Sequence, residues 1–148
     1  MQLFTEWSLN VSAFFTVAPL GGQILLFMNE NSRVDMHVHS TAPTLSKLGV
    51  QRSLNLPECA TEPWEVYELA KQQGMDFVTI TDHDTIAGAL SISHLKDTFI
   101  SEELTVSFKG EPQAVHVLCY GIAPGDHDWL QAHNDDVETC AAYLQEHE

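Results

Sequence analysis

Between Arg33 and Ser40 apolar and polar positions alternate, with Val34, Met36 and Val38 on one side of an extended segment and Asp35, His37 and His39 on the other. A period of two predicts a strand with two imidazoles pointing the same way. Ser40 to Pro57 is rich in Ser, Thr, Pro, Leu and Asn without a sustained period, so a loop passing over that face is expected. From Thr61 the period lengthens. Val66, Leu69 and Ala70 recur at i, i+3 and i+4, the stripe of an amphipathic helix, with Thr61 as N-cap, Glu62, Pro63 and Glu65 in the first turn, and Gly74 as the stop. Phe77-Val-Thr-Ile80 reads as a short strand buried on both faces, closing at Thr81-Asp-His-Asp-Thr85. A second helix is expected from Thr85 to Leu95, weakened at Gly88 by about 1 kcal/mol relative to alanine. Glu103 to Phe108 and Ala114 to Tyr120 read as strands joined by the turn Lys109-Gly-Glu-Pro112, and Asp126 to Glu148 as one helix with Leu130, Val137 and Leu144 seven apart. No internal repeat stands out.

Strand, helix, strand, helix and then strands predicts an α/β protein with a largely parallel sheet or part of a barrel. Ligands in such folds bind at the carboxyl ends of the strands, which is where His39 and His83 fall.

Composition narrows the function classes. Of 148 residues, 44% are hydrophobic and 18% charged, as in one globular domain, and the formal net charge is −15. An extended basic nucleic-acid surface is therefore not expected. The apolar runs Val11–Leu20 and Ile24–Met28 are broken by Pro19, Gly21 and Gly22, and no Lys or Arg precedes Arg33, so neither a membrane span nor a secretory signal is expected. Residues 1–33 are read as an extension of unassigned role. Cys59, Cys119 and Cys140 are odd in number and widely spaced, which suits a reducing cytoplasm better than a disulfide framework or a zinc ribbon.

His116 alone would read as a hydrogen-bonded core residue. With His37-x-His39 and His83 it becomes part of a set, because imidazole is a common ligand for zinc, manganese and iron. Asp35-Met-His-Val-His-Ser40 resembles the first motif of the PHP (polymerase and histidinol phosphatase) family, Thr79-Ile-Thr-Asp-His-Asp-Thr85 resembles the second, and Glu103 to Tyr120 is similar to the third.

The resemblance covers roughly Arg33 to Ala123 and implies a distorted (β/α)7 TIM-like barrel whose strand ends hold two or three divalent metals, Zn, Mn or Fe. It carries over His37, His39, His83, Glu103 and His116 as metal ligands and catalytic residues, with Asp35, Asp82 and Asp84 as carboxylates that orient ligating imidazoles. Glu103 is preferred to Glu102 because it begins the alternating Glu-Leu-Thr-Val run, and a carboxylate can bridge two metals. The implied activity is metal-dependent hydrolysis of a small phosphate monoester or a nucleotide-type diester by a metal-activated water.

The sequence also departs from the family. Thr44 stands where many members have an acidic or His ligand, and neither the later His nor the Asp-x-His follows His116. His127, His133 and His147 read as solvated helix positions. A partial barrel over residues 34–148, truncated at its carboxyl end, is therefore expected, with self-association or a missing portion to complete it. Two alternatives remain: a non-catalytic metal-binding or structural module, and a metal-dependent C–N hydrolase. The last would want a carbamate-forming lysine on a strand, whereas Lys71, Lys96 and Lys109 fall in a helix, near a helix end and in a turn.

Overall fold

Pro63 opens helix α1 (Pro63–Gln72) at a position where its missing N–H costs nothing. The Glu65 carboxylate accepts from the Glu62 N–H at 3.2 Å, and the chain leaves through Gly74 at φ +78°, a left-handed conformation that glycine adopts without strain. This computed structural model describes residues 32–42 and 59–147. Most of the expected Ser40–Pro57 loop, Thr44 within it, and nearly all of the expected amino-terminal extension lie outside the described residues.

Three extended segments lie side by side, with α1 and then α2 (Ala87–Ile92) as the crossovers between them. Val34 bridges Phe77 and Val78 bridges Thr98, both in parallel. The third segment runs on into β1 (Ser101–Ser107), and a turn returns the chain as β2 (Ala114–Tyr120), antiparallel from Ser101 opposite Tyr120 to Ser107 opposite Ala114.

The described residues make a small mixed α/β fold, and among them the expected partial (β/α)7 barrel is not formed. Closure requires each strand to pair along its length with the next at a common tilt and stagger. Among the described residues the parallel pairings remain isolated bridges, and the one ladder is a hairpin that sets β2, not another strand–helix unit, beside β1.

The helix expected from Asp126 onward is two helices, α3 (Pro124–Ala132) and α4 (Val137–Glu146). Asp136 breaks it: its carboxylate accepts from the Glu138 and Thr139 N–H groups and caps α4. The apolar stripe survives the break, since Leu130 is buried and Val137 and Leu144 pack on the same core. Rings stack in a column between the helices, His133 on Trp129 at 3.9 Å, Trp129 on Tyr143 at 3.8 Å and Tyr143 on His147 at 4.0 Å. This column is encoded twice, as Trp129-Leu-Gln-Ala-His133 and Tyr143-Leu-Gln-Glu-His147, a short repeat that a search for longer periods passes over.

One core cluster, Val66, Val78, Ile80, Ala89 and Ile92, lies under α1 and α2. The other, Ile86, Leu104, Val106, Cys119, Ile122, Leu130 and Cys140, joins the hairpin to α3 and α4. Ile100 packs against both. No helix among the described residues is long and apolar enough to cross a membrane.

Candidate metal centre

His37 and His39 leave the first extended segment where hydrogen bonds fix its end. Thr81 holds Val38 three ways: its N–H donates to the Val38 carbonyl at 2.7 Å, its hydroxyl donates to the same carbonyl at 3.1 Å, and its hydroxyl oxygen accepts from the Val38 N–H at 3.0 Å. Beyond His39, the buried Asp82 carboxylate accepts from the Ser40 N–H at 2.6 Å and the Ser40 hydroxyl at 2.8 Å. This latch ties the His-x-His segment to the segment that carries His83. Tyr120 adds a third tie, its hydroxyl donating to the Met36 carbonyl at 2.7 Å.

His83 bridges Glu103 in parallel. The Glu103 N–H donates to the Asp82 carbonyl at 3.1 Å and the Asp84 N–H to the Glu103 carbonyl at 2.9 Å. Asp84 sits at φ 52°, and its carboxylate accepts from the Thr105 N–H at 2.7 Å. On β2, His116 lies opposite Thr105, one diagonal step from Glu103 on the same face of the hairpin.

These ties bring all five expected ligands together. Glu103 Oε2 lies 2.8 Å from His37 Nε2, 3.1 Å from His39 Nε2 and 3.6 Å from His83 Nε2, while Oε1 lies 2.8 Å from His116 Nδ1. Two trios suited to a cation, His37–His39–Glu103 and His83–Glu103–His116, share the one carboxylate. Glu103 is 4% exposed whereas His37 and His116 are open to solvent, so the cluster has a buried floor and an accessible rim.

The donor chemistry fits a divalent cation. His37 and His39 present Nε2 atoms to each other at 3.1 Å while both face the same carboxylate oxygen. With one of the two protonated they form an N–H···N hydrogen bond, and with neither protonated both lone pairs are free to turn to a shared cation. Burial is the main force pushing the His39 imidazole below its ordinary pKa, against the opposing pull of Glu103. That favours the neutral form, which ligates. His39 Nδ1 is buried without a partner. Neither Lys71, paired with Asp97 at 3.3 Å, nor Lys109, 4.0 Å from Asp136, brings positive charge to the cluster.

Each of the three aspartates accepts from a backbone N–H. Asp35 accepts from the His37 N–H at 3.3 Å, Asp82 holds Ser40, and Asp84 holds Thr105. Pattern reading passes over Ser40, Thr81 and Gly88, whose roles depend on contacts between segments. A Cβ on Gly88 would run into the Asp82 carboxylate and come within 2.7 Å of the Ser40 hydroxyl, so α2 can pack over the latch only with glycine there. Nor is His127 solvated: its Nδ1 lies 2.9 Å from the buried Glu102 carboxylate, on the opposite side of β1 from the cluster.

No family model matches the chain, and no solved structure matches it. A stretch of 67 residues is 33% identical to an uncharacterized protein of Methanocaldococcus jannaschii, covering 45% of this chain and 37% of that protein. The chain thus spans well under half the length of the curated relative it matches.

Proposed function

We propose that the cluster binds divalent metal, zinc, manganese or iron, and that the chain is a metal-dependent phosphoesterase of the PHP kind, acting on a small phosphate monoester or a nucleotide-type diester. The observation that carries this reading is the convergence of four imidazoles from three chain segments on the two oxygens of one buried carboxylate. A bound cation would supply the positive charge and the acidified water that hydrolysis of a phosphate ester requires. Glu103 neutralises and spaces the two trios, the Ser40–Asp82 latch orients His39 and His83, and the exposed His37 and His116 border the side from which a substrate enters. Three free thiols suit a reducing cytoplasm.

Elemental mass spectrometry of protein purified without chelator should find at least one transition-metal equivalent per chain, lost in His37→Ala/His39→Ala. Metal-loaded protein should hydrolyse p-nitrophenyl phosphate or its bis-ester, with activity abolished by chelation and by His83→Ala. Hydrolysis indifferent to chelation would defeat the proposal. Bound metal without hydrolysis would leave a metal-binding module.

A further inference from the structure

One edge of the hairpin is open, and the hydrogen bonds of β1 show which groups line it. The Glu103 N–H donates to the Asp82 carbonyl, and the Glu103 carbonyl accepts from the Asp84 N–H. The Thr105 N–H reaches the Asp84 carboxylate and the Ser107 N–H the Asn134 carbonyl. These alternate residues of β1 aim their backbone groups away from β2, so Glu102, Leu104 and Val106 aim theirs toward it. Their partners across the ladder are Cys119, Val117 and Val115. By the same alternation, Ala114, His116, Leu118 and Tyr120 turn their N–H and C=O groups to the far edge of β2. Among the described residues these groups find no hydrogen-bond partner.

Such an edge is ordinarily blunted by lysine, proline, a bulge or an inward charge. β2 has none of these. Ala114-Val-His-Val-Leu-Cys-Tyr120 pairs with β1 residue for residue, and no Asp, Glu, Lys or Arg stands in it, although the chain carries a formal charge of −15. A basic partner finds no carboxylate along this line, and an acidic one is repelled by the rest of the molecule. What fits is an uncharged strand of the same length and alternation, and β2 is itself one. Two copies laid antiparallel with Val117 opposite Val117 pair along all seven residues, Ala114 with Tyr120, Val115 with Cys119 and His116 with Leu118. Outward-pointing residues then meet one another, as a ladder requires. A shift by one residue sets outward groups against inward ones, and a longer shift leaves strand ends unpaired.

We propose that the chain forms a twofold dimer through β2, joining two hairpins into one sheet in the order β1–β2–β2–β1. His116, half-exposed on the rim of the cluster, then has Leu118 of the partner subunit beside it, so each copy covers part of the other's rim. The two clusters share one face of the sheet, on the order of 15 Å apart across three strand spacings. The dimer does not depend on the metal reading, whereas its effect on the rim of a metal site does. A single strand from each copy falls short of the roughly 20–30 residues a side of a standard interface. The backbone ladder therefore carries the association, and the dimer is weak and concentration-dependent.

Sedimentation of the full chain from micromolar to near-millimolar concentration should show a monomer–dimer equilibrium. Added NaCl should shift it toward dimer, because salt screens the repulsion between two acidic copies. Isotope-filtered NMR on mixed labelled and unlabelled wild type should show contacts from His116 to the partner's Leu118. Leu118→Pro removes one outward N–H without removing a bond to β1, and should weaken the dimer by about tenfold or more while circular dichroism keeps the wild-type signal. A wild type that stays monomeric throughout overturns the proposal; His116 and Leu118 amides protected from exchange in that monomer would show that another stretch of the chain covers the edge. A dimer whose filtered contacts lie outside β2 overturns it too, as does a folded Leu118→Pro that dimerises like the wild type. If proline unfolds the variant, the wild-type contacts alone decide.

Discussion

Glu103 and Glu102 are the same side chain one position apart, and their surroundings give them opposite tasks. Glu103→Gln keeps the shape but removes the negative charge shared by both trios, and is expected to weaken Mn²⁺ or Zn²⁺ binding by at least about tenfold with the fold intact, measured by isothermal titration beside far-ultraviolet circular dichroism. Burial pushes the Glu102 carboxyl above its ordinary pKa, against the hydrogen bond from His127. A group whose folded pKa lies above its unfolded one contributes stability that is present below the ordinary carboxylate range and is lost as pH rises through the folded value. The melting temperature of Glu102→Gln relative to wild type should therefore climb as pH is raised from about 4, where both side chains are uncharged; a constant difference would contradict the assignment. Alternation along β1 separates the two glutamates in the sequence itself. The partner of Glu102 is not legible there, because His127 comes from a helix 25 positions on and its own surroundings in the sequence are polar.

At the scale of elements, α2 meets the site through one missing methyl group. Alanine at position 88 gains helix propensity worth about 1 kcal/mol but places its Cβ against Asp82 and 2.7 Å from the Ser40 hydroxyl. Overpacking of this kind costs about 1–3 kcal/mol. Gly88→Ala should thus be neutral to destabilising in urea unfolding and should also weaken metal binding, whereas a simple helix-propensity effect would stabilise it. Local signals located most elements: α1 ends before Gly74 as its stop signal requires, and β2 has the expected bounds. The break between α3 and α4 was there to be read in Asp136, but a heptad of apolar residues on both sides masked it. Phe77 to Ile80 is buried throughout as expected, yet its pairing is confined to isolated bridges. Burial is written in a segment's own residues, whereas a ladder depends on its neighbours.

Across the whole molecule the same distinction explains why the barrel expectation failed while the ligand set converged. Closure is a property of all strands together, and the hairpin return after β1 redirects the chain in a way that motif order does not encode. A cluster needs only a few segment ends to meet. Because the chain carries a formal charge of −15, self-repulsion opposes compaction, and a cation bound only by the folded state should offset it. Mn²⁺ at a hundred times its dissociation constant is expected to stabilise wild type by about 2.7 kcal/mol, seen as a chelator-reversible rise in melting temperature that is absent in His37→Ala/His39→Ala. The ring column between α3 and α4 has a different kind of consequence. Indole and phenol held face to face at 3.8 Å are fixed chromophores in an asymmetric setting, so this end of the molecule carries its own optical signature of tertiary packing. Tyr143→Leu should erase a near-ultraviolet dichroism band while leaving the helical signal in place. Light alone can then report when the helix pair docks, independently of anything that happens at the cluster around Glu103.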